Sequence, residues 1–339
     1  MADALLSVEN LSTVFELRAR NPFAATPKLK AVSDVSFDLK EGETLGIVGE
    51  SGCGKSTLGR SILRLIEPTA GRVVWQGRDL THLSDEEMRK ARRDLSIIFQ
   101  DPIASLDPRM TVADIIAEPL RVAEPKLDRK ARRERVTKAM EEVGLAPEMI
   151  NRYPHEFSGG QAQRIGIARA IITEPKLIVC DEPVSALDVS IQAQIVNLLK
   201  GLRDRLGLTL IFISHDLSVV RLVSDRILVL YLGRVVELGP RAEVFARPAH
   251  PYTRALLSAA PIPDPKVARQ RERIVLQGDP PSPINPPSGC AFHTRCPIAR
   301  PVCSETPPPL APVEEGHVSA CLFADEVVAE ADNLAAAAD

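Results

Sequence analysis

The sequence predicts an α/β fold with a parallel core sheet, and three stretches carry that prediction. Thr44–Val48 is an apolar run bounded by turn residues, and it is followed by a glycine-rich loop and an apolar-periodic stretch from Leu58 to Ile66, the pattern of strand, loop and helix. Leu177–Cys180 is wholly apolar and ends on Asp181-Glu182. Two carboxylates at the carboxyl end of a buried strand lie where a parallel sheet binds its ligands. Leu208–Ser214 is a further apolar strand, and it ends on His215.

The loop has a chemistry of its own. Gly49 to Ser56 fits G-x-x-x-x-G-K-[ST] between a strand and a helix, the context a P-loop needs. Gly49, Gly52 and Gly54 let the backbone turn tightly with its N–H groups aimed inward. At a helix N-terminus those donors suit phosphate oxygens. Lys55 adds a point charge for β- and γ-phosphates, and Ser56 offers a hydroxyl to Mg²⁺. A glycine-rich turn that binds nothing would match these four fixed positions in roughly one chain per hundred of this length.

Composition bounds the rest. A chain of 339 residues suits one large domain with an appendage, or two domains. The 45% apolar and 26% charged residues are those of a globular protein. A net charge of −3 supplies no global argument for nucleic acid or an anionic membrane as partner. The longest apolar runs, near Leu208–Ile213 and Ile227–Leu232, are too short to span a bilayer. Met1–Asn10 lacks a basic region followed by a long apolar one, which argues against a signal peptide. The expectation is a cytosolic chain that reaches any membrane through partners. Six cysteines in such a chain argue against disulfides.

In chain order, Leu6–Phe15 and Lys30–Leu39 read as strands, the second alternating through Val32, Val35, Phe37 and Leu39. Arg18–Lys28 between them is basic and broken by Pro22 and Pro27, hence a loop. Phe15 and Phe23 precede the P-loop and either could stack on adenine; taken alone, each reads as a core or loop-anchoring residue. Gly71–Leu80 suggests a short strand and turn, and Ser84-Asp85-Glu86-Glu87 is a capping box opening a charged surface helix to Asp94. Leu95–Phe99 is a strand ending on Gln100. From Asp101 to Phe157 the prolines 102, 108, 119 and 125 punctuate short pieces before a helix over Leu127–Val143. Its basic run 129–133 is followed by Glu134, Glu141 and Glu142, so a solvated face is expected rather than a nucleic-acid patch. Phe157-Ser158-Gly159-Gly160-Gln161 opens a helix with a stripe of Ala162, Ile165, Ala168, Ile171 and Ile172. Ser158 stands at the N-cap, and two glycines expose the first N–H groups to an anion. In a P-loop protein Asp181 would orient Mg²⁺, and Glu182 would take a proton from the attacking water.

The order of P-loop, Gln100, Phe157–Gln161, Leu177–Glu182, Ser185–Asp188 and His215 resembles the nucleotide-binding subunit of an ABC transporter over about residues 5–245. The joint occurrence is specific, because Ser-Gly-Gly-Gln shortly before an Asp-Glu strand is not shared with other P-loop classes. The resemblance implies a RecA-like core sheet, an antiparallel β subdomain and a helical subdomain at about 101–165. It makes Gly49, Glu50, Ser51, Gly52, Cys53, Gly54, Lys55, Ser56 and Thr57 the Walker A loop and Phe15 the adenine-stacking aromatic. Gln100 becomes the Q-loop residue, and Asp181 joins Ser56 and Gln100 around Mg²⁺. Glu182 becomes the catalytic carboxylate and His215 the switch histidine, while Ser158, Gly159, Gly160, Gln161 and Asp188 complete an ATP site in trans. The implied machine is a dimer that sandwiches two ATP molecules and opens on hydrolysis.

From about Glu243 the chain turns to proline, with His250–Leu257, Pro261–Pro265, Gly278–Pro283 and Gly289–Pro297 in succession. By physics alone this is an irregular extension over 246–323 that struggles to build a core without a staple. The tail, 324–339, is acidic and alanine-rich and is expected to fray. The extension resembles the C-terminal region of ATPase subunits from oligopeptide, dipeptide and nickel importers, which come as two different ATPases; Pro261-Ile262-Pro263-Asp264-Pro265 leans to the second, or F-type. Cys290, Cys296, Cys303 and Cys321 are separated by five, six and seventeen residues. Structural zinc sites show tighter pairs, and four thiolates on irregular backbone can hold a [4Fe–4S] cluster instead. The resemblance points to such a cluster; zinc with His293 or His317, and unligated thiols, stay open. Cys53 and Cys180 sit in core motifs and are given no redox role.

The resemblance further implies a partner ATPase of the D type, two transmembrane permease subunits, an extracytoplasmic peptide-binding protein, and a place on the cytoplasmic face of the inner membrane. The cargo expected is di- or oligopeptide. Nickel, opines or other small solutes are the alternative, and a soluble ABC ATPase acting on nucleic acid or ribosomes is a distant rival. Such rivals carry two cassettes or a long coiled-coil insertion, and this chain has neither.

Overall fold

A computed structural model of the chain describes residues 4–17, 26–260 and 274–336. The chain forms two compact units. One comprises Met1–Leu5, Leu39–Thr44 and Gln76–Ser214; the other comprises Leu6–Asp38, Leu45–Trp75 and His215–Asp339.

The first unit is built on three parallel strands in the order Leu95–Ile98, Leu177–Asp181, Thr209–Ile213, with Leu95 opposite Leu177 and Leu177 opposite Thr209. Every residue of the last two strands is buried, as β-branched and apolar runs covered on both faces must be. Helices Val112–Ala123, Arg129–Glu142, Gly159–Ile171 and Val189–Leu206 belong to the same unit. Local chemistry starts and stops them. Thr111 and Asp128 accept the N–H groups of Asp114 and Ala131. Gly207, at φ 63°, ends the last one in the left-handed region. The capping box at Ser84 is present, and its helix runs over Asp85–Ala91.

Pro119 corrects one expectation. It does not punctuate but lies inside the Val112–Ala123 helix. A proline there forfeits a backbone bond, and the burial of Val112, Ile115, Ile116 and Leu120 on one stripe outweighs that loss.

The second unit carries an antiparallel sheet and a mixed one. Ala4–Glu16 lies between Lys28–Lys40 and Ala70–Trp75, with Leu6 opposite Trp75. Thr44–Val48 pairs in parallel with Arg226–Tyr231, so that Leu45 faces Arg226 and Val48 faces Val229. Arg226–Tyr231 then pairs antiparallel with Arg234–Pro240 across Leu232-Gly233. The helix after the glycine loop spans Lys55–Ile62, one turn shorter than its apolar pattern suggests.

The C-terminal extension is more regular than its prolines imply. A hairpin of Ala311–Glu314 and His317–Ser319 adds to the sheet, with Glu237 opposite Ser319 and Leu238 opposite Val318. Helix Pro251–Ala259 precedes it. The tail expected to fray is a helix over Ala324–Ala336. Val327 and Val328 are buried, and Arg300, Arg254 and Arg247 pair with Glu326, Glu330 and Asp332. Three ion pairs along the helix and an apolar anchor supply what composition alone did not reveal. Phe23, most of the Arg18–Lys28 loop and Pro261–Pro265 lie outside the described residues.

Candidate functional site

The glycine loop sits where the sequence places it, between the Thr44–Val48 strand and the Lys55–Ile62 helix. Two of its glycines are obligatory. A Cβ on Gly49 (φ 153°) would stand 2.2 Å from the Leu230 carbonyl oxygen, and one on Gly54 (φ 106°) would stand 2.1 Å from that of Ala31. Gly54 is also the N-cap of the helix. The loop is braced by the Gly233 N–H, which donates to the Cys53 carbonyl at 2.8 Å.

Lys55 is 3% exposed, and its Nζ donates to the carbonyls of Gly49 (2.8 Å) and Glu50 (2.9 Å). The ammonium is thus already held inside the loop's own curve. Burial pushes the Cys53 thiol up, and Lys55 offsets this only in part. Cys180, wholly buried beside Asp181, is pushed up to about 12. Neither thiol is poised to react.

Two residues the sequence reading left aside also reach this loop. The Glu50 N–H donates to the Tyr252 hydroxyl at 2.8 Å, and the Glu50 carboxylate takes both Arg295 Nη atoms at 2.7 and 3.0 Å. No local motif announces either contact, because 202 and 245 residues separate the partners. Phe15 lies on the Ala4–Glu16 strand and is 37% exposed, a surface position open to a flat ring. His215 is exposed just beyond the Thr209–Ile213 strand.

The other unit holds the carboxylates, Gln100 and the Ser158–Gln161 turn. Asp181 closes its strand at 0% exposure. Glu182 is 9% exposed and sits at φ 47°, a left-handed conformation that a glutamate adopts at a cost. Its N–H donates to the Ile213 carbonyl (3.1 Å), and the Ser185 hydroxyl donates to its carbonyl (3.1 Å). Gln100 Nε2 donates to Glu182 Oε2 at 3.0 Å. The structure therefore brings Gln100 onto the carboxylate, a contact that 82 residues of separation hide from a sequence reader.

Ser158 caps the Gly159–Ile171 helix in a full capping box. The Gln161 N–H reaches Ser158 Oγ at 3.4 Å, and the Ser158 N–H reaches Gln161 Oε1 at 3.0 Å. A Cβ on Gly160 would meet Ile191 Cγ2 at 2.7 Å, so the glycine lets this helix start close against the Val189–Leu206 helix. The intervening turn is tied by Gln192, whose Nε2 donates to the carbonyls of Val184 (3.1 Å) and Leu187 (3.0 Å). Asp188 is exposed at the head of the second helix and makes no side-chain capping bond.

Cys290, Cys296, Cys303 and Cys321 all line one cavity, with His250, His293 and Phe323 among its other walls. The thiols feel one another, and burial pushes Cys296 and Cys321 each up to about 11. Among the described residues no group of three or more His, Cys, Asp or Glu is disposed to hold a metal ion. His317 does not line that cavity. It is 2% exposed and its Nε2 meets Glu237 Oε1 at 2.8 Å, while Glu237 also accepts the N–H groups of Ala249 (2.8 Å) and His250 (3.0 Å). No helix among the described residues is long and apolar enough to cross a membrane.

Comparison with known proteins bears on both units. The ABC transporter family profile matches residues 32–185, and the profile for the oligopeptide/dipeptide transporter C-terminal region matches 236–303. The chain is 58% identical over 326 residues to the oligopeptide transport ATP-binding protein OppF of Salmonella typhimurium, covering 95% of this chain and 96% of that protein. It is 56% identical over 322 residues to the OppF of Haemophilus influenzae, covering 94% and 97%. Among solved structures, the dimeric ATP-binding cassette MJ0796 bound to ADP and Pi aligns with a TM-score of 0.62 at 31% identity, over 70% of this chain and 98% of that one.

Proposed function

The chain belongs to the oligopeptide transport ATP-binding proteins of the ABC transporters, and on that premise we propose how its residues divide the work. The protein binds and hydrolyses ATP to power peptide import. The observation that carries this reading is the phosphate-ready loop with its buried lysine, in a chain that an oligopeptide transport ATP-binding protein matches over 95% of its length.

Gly49–Thr57 hold the phosphates through inward N–H groups and Lys55, at the N-terminus of the following helix. Phe15 stacks on the adenine, which its exposure supports. Ser56, Gln100 and Asp181 are oxygen donors of the kind a hard dication takes. Mg²⁺ held by them would supply the positive charge that offsets the phosphates. Glu182 accepts the proton of the attacking water. Its bond from Gln100 supports a role for Gln100 in aiming that carboxylate. His215 contacts the γ-phosphate. Ser158, Gly159, Gly160, Gln161 and Asp188 cap ATP bound by the partner ATPase, which is a D-type homologue. Residues 1–245 form the cassette, with its helical subdomain near 101–165, and 246–323 the importer-type extension.

Two permease subunits and an extracytoplasmic peptide-binding protein complete the machine, with this chain peripheral on the cytoplasmic face of the inner membrane. The test is uptake in a host lacking this gene, complemented with wild type or Glu182→Gln. Labelled di- and oligopeptides should enter only with wild type. Restored nickel uptake without peptide uptake would keep the motor and overturn the cargo.

The four cysteines form a [4Fe–4S] site. Their convergence on one cavity supports this, and so does their donor chemistry. Iron and acid-labile sulfide should appear together after anaerobic purification; zinc without sulfide ends the cluster reading.

A further inference from the structure

The phosphate loop is gripped from outside the cassette's own motifs. Arg295 stands one residue before Cys296, in a turn whose N–H groups at His293 and Arg295 donate to the carbonyls of Cys290 and Phe292, both at 3.0 Å. Its guanidinium meets the Glu50 carboxylate as a two-pronged pair at 2.7 and 3.0 Å, with side-chain exposures of 7% and 27%. The same residue, Glu50, has its N–H on the Tyr252 hydroxyl. Behind these bonds Phe292 packs its ring 5.2 Å from Tyr231 and 5.3 Å from Tyr252. The turn that carries two of the four cysteines is thus bolted to the first variable residue of the loop by an ion pair and a ring cluster.

The chemistry of that residue makes the bolt more than packing. A carboxylate in a loop that gathers phosphates opposes its ligand. Arg295 neutralises it and holds it in a fixed direction, and a bidentate fork does so with more geometric constraint than an ammonium could. The Glu50 carbonyl also accepts Lys55 Nζ. Whatever fixes Glu50 therefore fixes one of the two carbonyls on which the phosphate-binding lysine rests.

We propose that Arg295 is a positioning residue for ATP, acting through Glu50, so that the Cys290–Cys296 turn sets how tightly the phosphate loop holds its nucleotide. This rests on the reading that Gly49–Thr57 bind the phosphates, and it does not depend on what the four thiols hold.

The test compares KM for ATP and kcat in the assembled importer carrying wild type, Arg295→Gln, Arg295→Lys, or Arg295→Gln with Glu50→Gln. Arg295→Gln should raise KM about tenfold, the loss of one charge-assisted pair, with kcat at saturating ATP changed less than about twofold. Arg295→Lys should fall between, because it keeps the charge and loses the fork. Removing the carboxylate as well should return KM to within about threefold of wild type, since the repulsion that Arg295 cancels is gone. An unchanged KM in Arg295→Gln, or losses that simply add in the double variant, would overturn the proposal. If Arg295→Gln does not assemble, the exchanged pair Glu50→Arg with Arg295→Glu replaces it: recovery of ATP binding over both single variants supports the proposal, and no recovery overturns it. Lys55→Ala separates the two readings. If it binds ATP as wild type does, the loop reading fails; if it does not, the outcome at Arg295 stands by itself.

Discussion

Glu182 follows the buried Leu177–Asp181 strand, 9% exposed, with its N–H on the Ile213 carbonyl. An Asp-Glu pair closing an apolar strand already names a carboxylate on the ligand side of the sheet. Its left-handed φ of 47° and its bond from Gln100 come from the fold. As a general base it should be worth two to four orders of magnitude, so Glu182→Gln should slow ATP turnover by about 10²–10⁴ while nucleotide binding persists. His250 is the opposite case, silent in the sequence and decisive in the structure. It is 1% exposed, its Nδ1 accepts the Tyr252 N–H at 3.1 Å, and burial pushes its pKa from 6.5 down to about 3. Between those values the unfolded chain binds a proton that the native chain refuses. Stability should therefore fall on acidification from pH 6.5, with up to about 1.4 kcal/mol per pH unit from this side chain. Urea unfolding of wild type and His250→Asn between pH 6.5 and 4.5 should show the steeper fall in wild type. Parallel slopes would contradict the buried neutral imidazole.

At the scale of elements, the helix opened by Ser158 illustrates why glycines sit in a helix's first turn. Their small size matters here as much as their freedom, since a Cβ on Gly160 meets Ile191 Cγ2 at 2.7 Å. Gly160→Val should push this helix start away from the Val189–Leu206 helix, an overpacking cost of about 1–3 kcal/mol. ATP turnover should drop at least about tenfold with ATP binding kept, and Ile191→Ala should restore part of it by making room. An unaltered turnover in Gly160→Val would mean that the two helix starts need not approach. The elements that were misread share one cause. Pro119 inside a helix and the Ala311–Ser319 hairpin run against local propensity, the Ala324–Ala336 helix runs against the expectation of a frayed tail, and tertiary contacts hold all three. Burial of Ile115 and Leu120, pairing to Arg234–Pro240, and arginines at 247, 254 and 300 do the holding. Propensity sums neighbours along the chain and is blind to such partners.

At the scale of the molecule, the cassette is chemically unfinished without its extension. Glu237 is 0% exposed, and its three partners, Ala249, His250 and His317, all lie beyond residue 245. A chain cut after Phe245 would lose all three of those partners, strip the Arg234–Pro240 strand of its pairing with His317–Ser319 and leave that sheet edge open. It should melt well below the full chain or fail to accumulate. A cut chain as stable as the whole would show that the extension is an independent appendage. The sequence by itself determined the ATP-handling motifs and their order, because each is a short run whose backbone needs are local: a glycine loop before a helix, an apolar strand before two carboxylates, a serine cap before two glycines. Only the tertiary structure decided that four widely spaced cysteines face one cavity, that Gln100 rests on Glu182, and that Arg295 and Tyr252 hold Glu50. Those pairings span tens to hundreds of residues, and they form only after apolar burial has brought the strands and turns that carry them together.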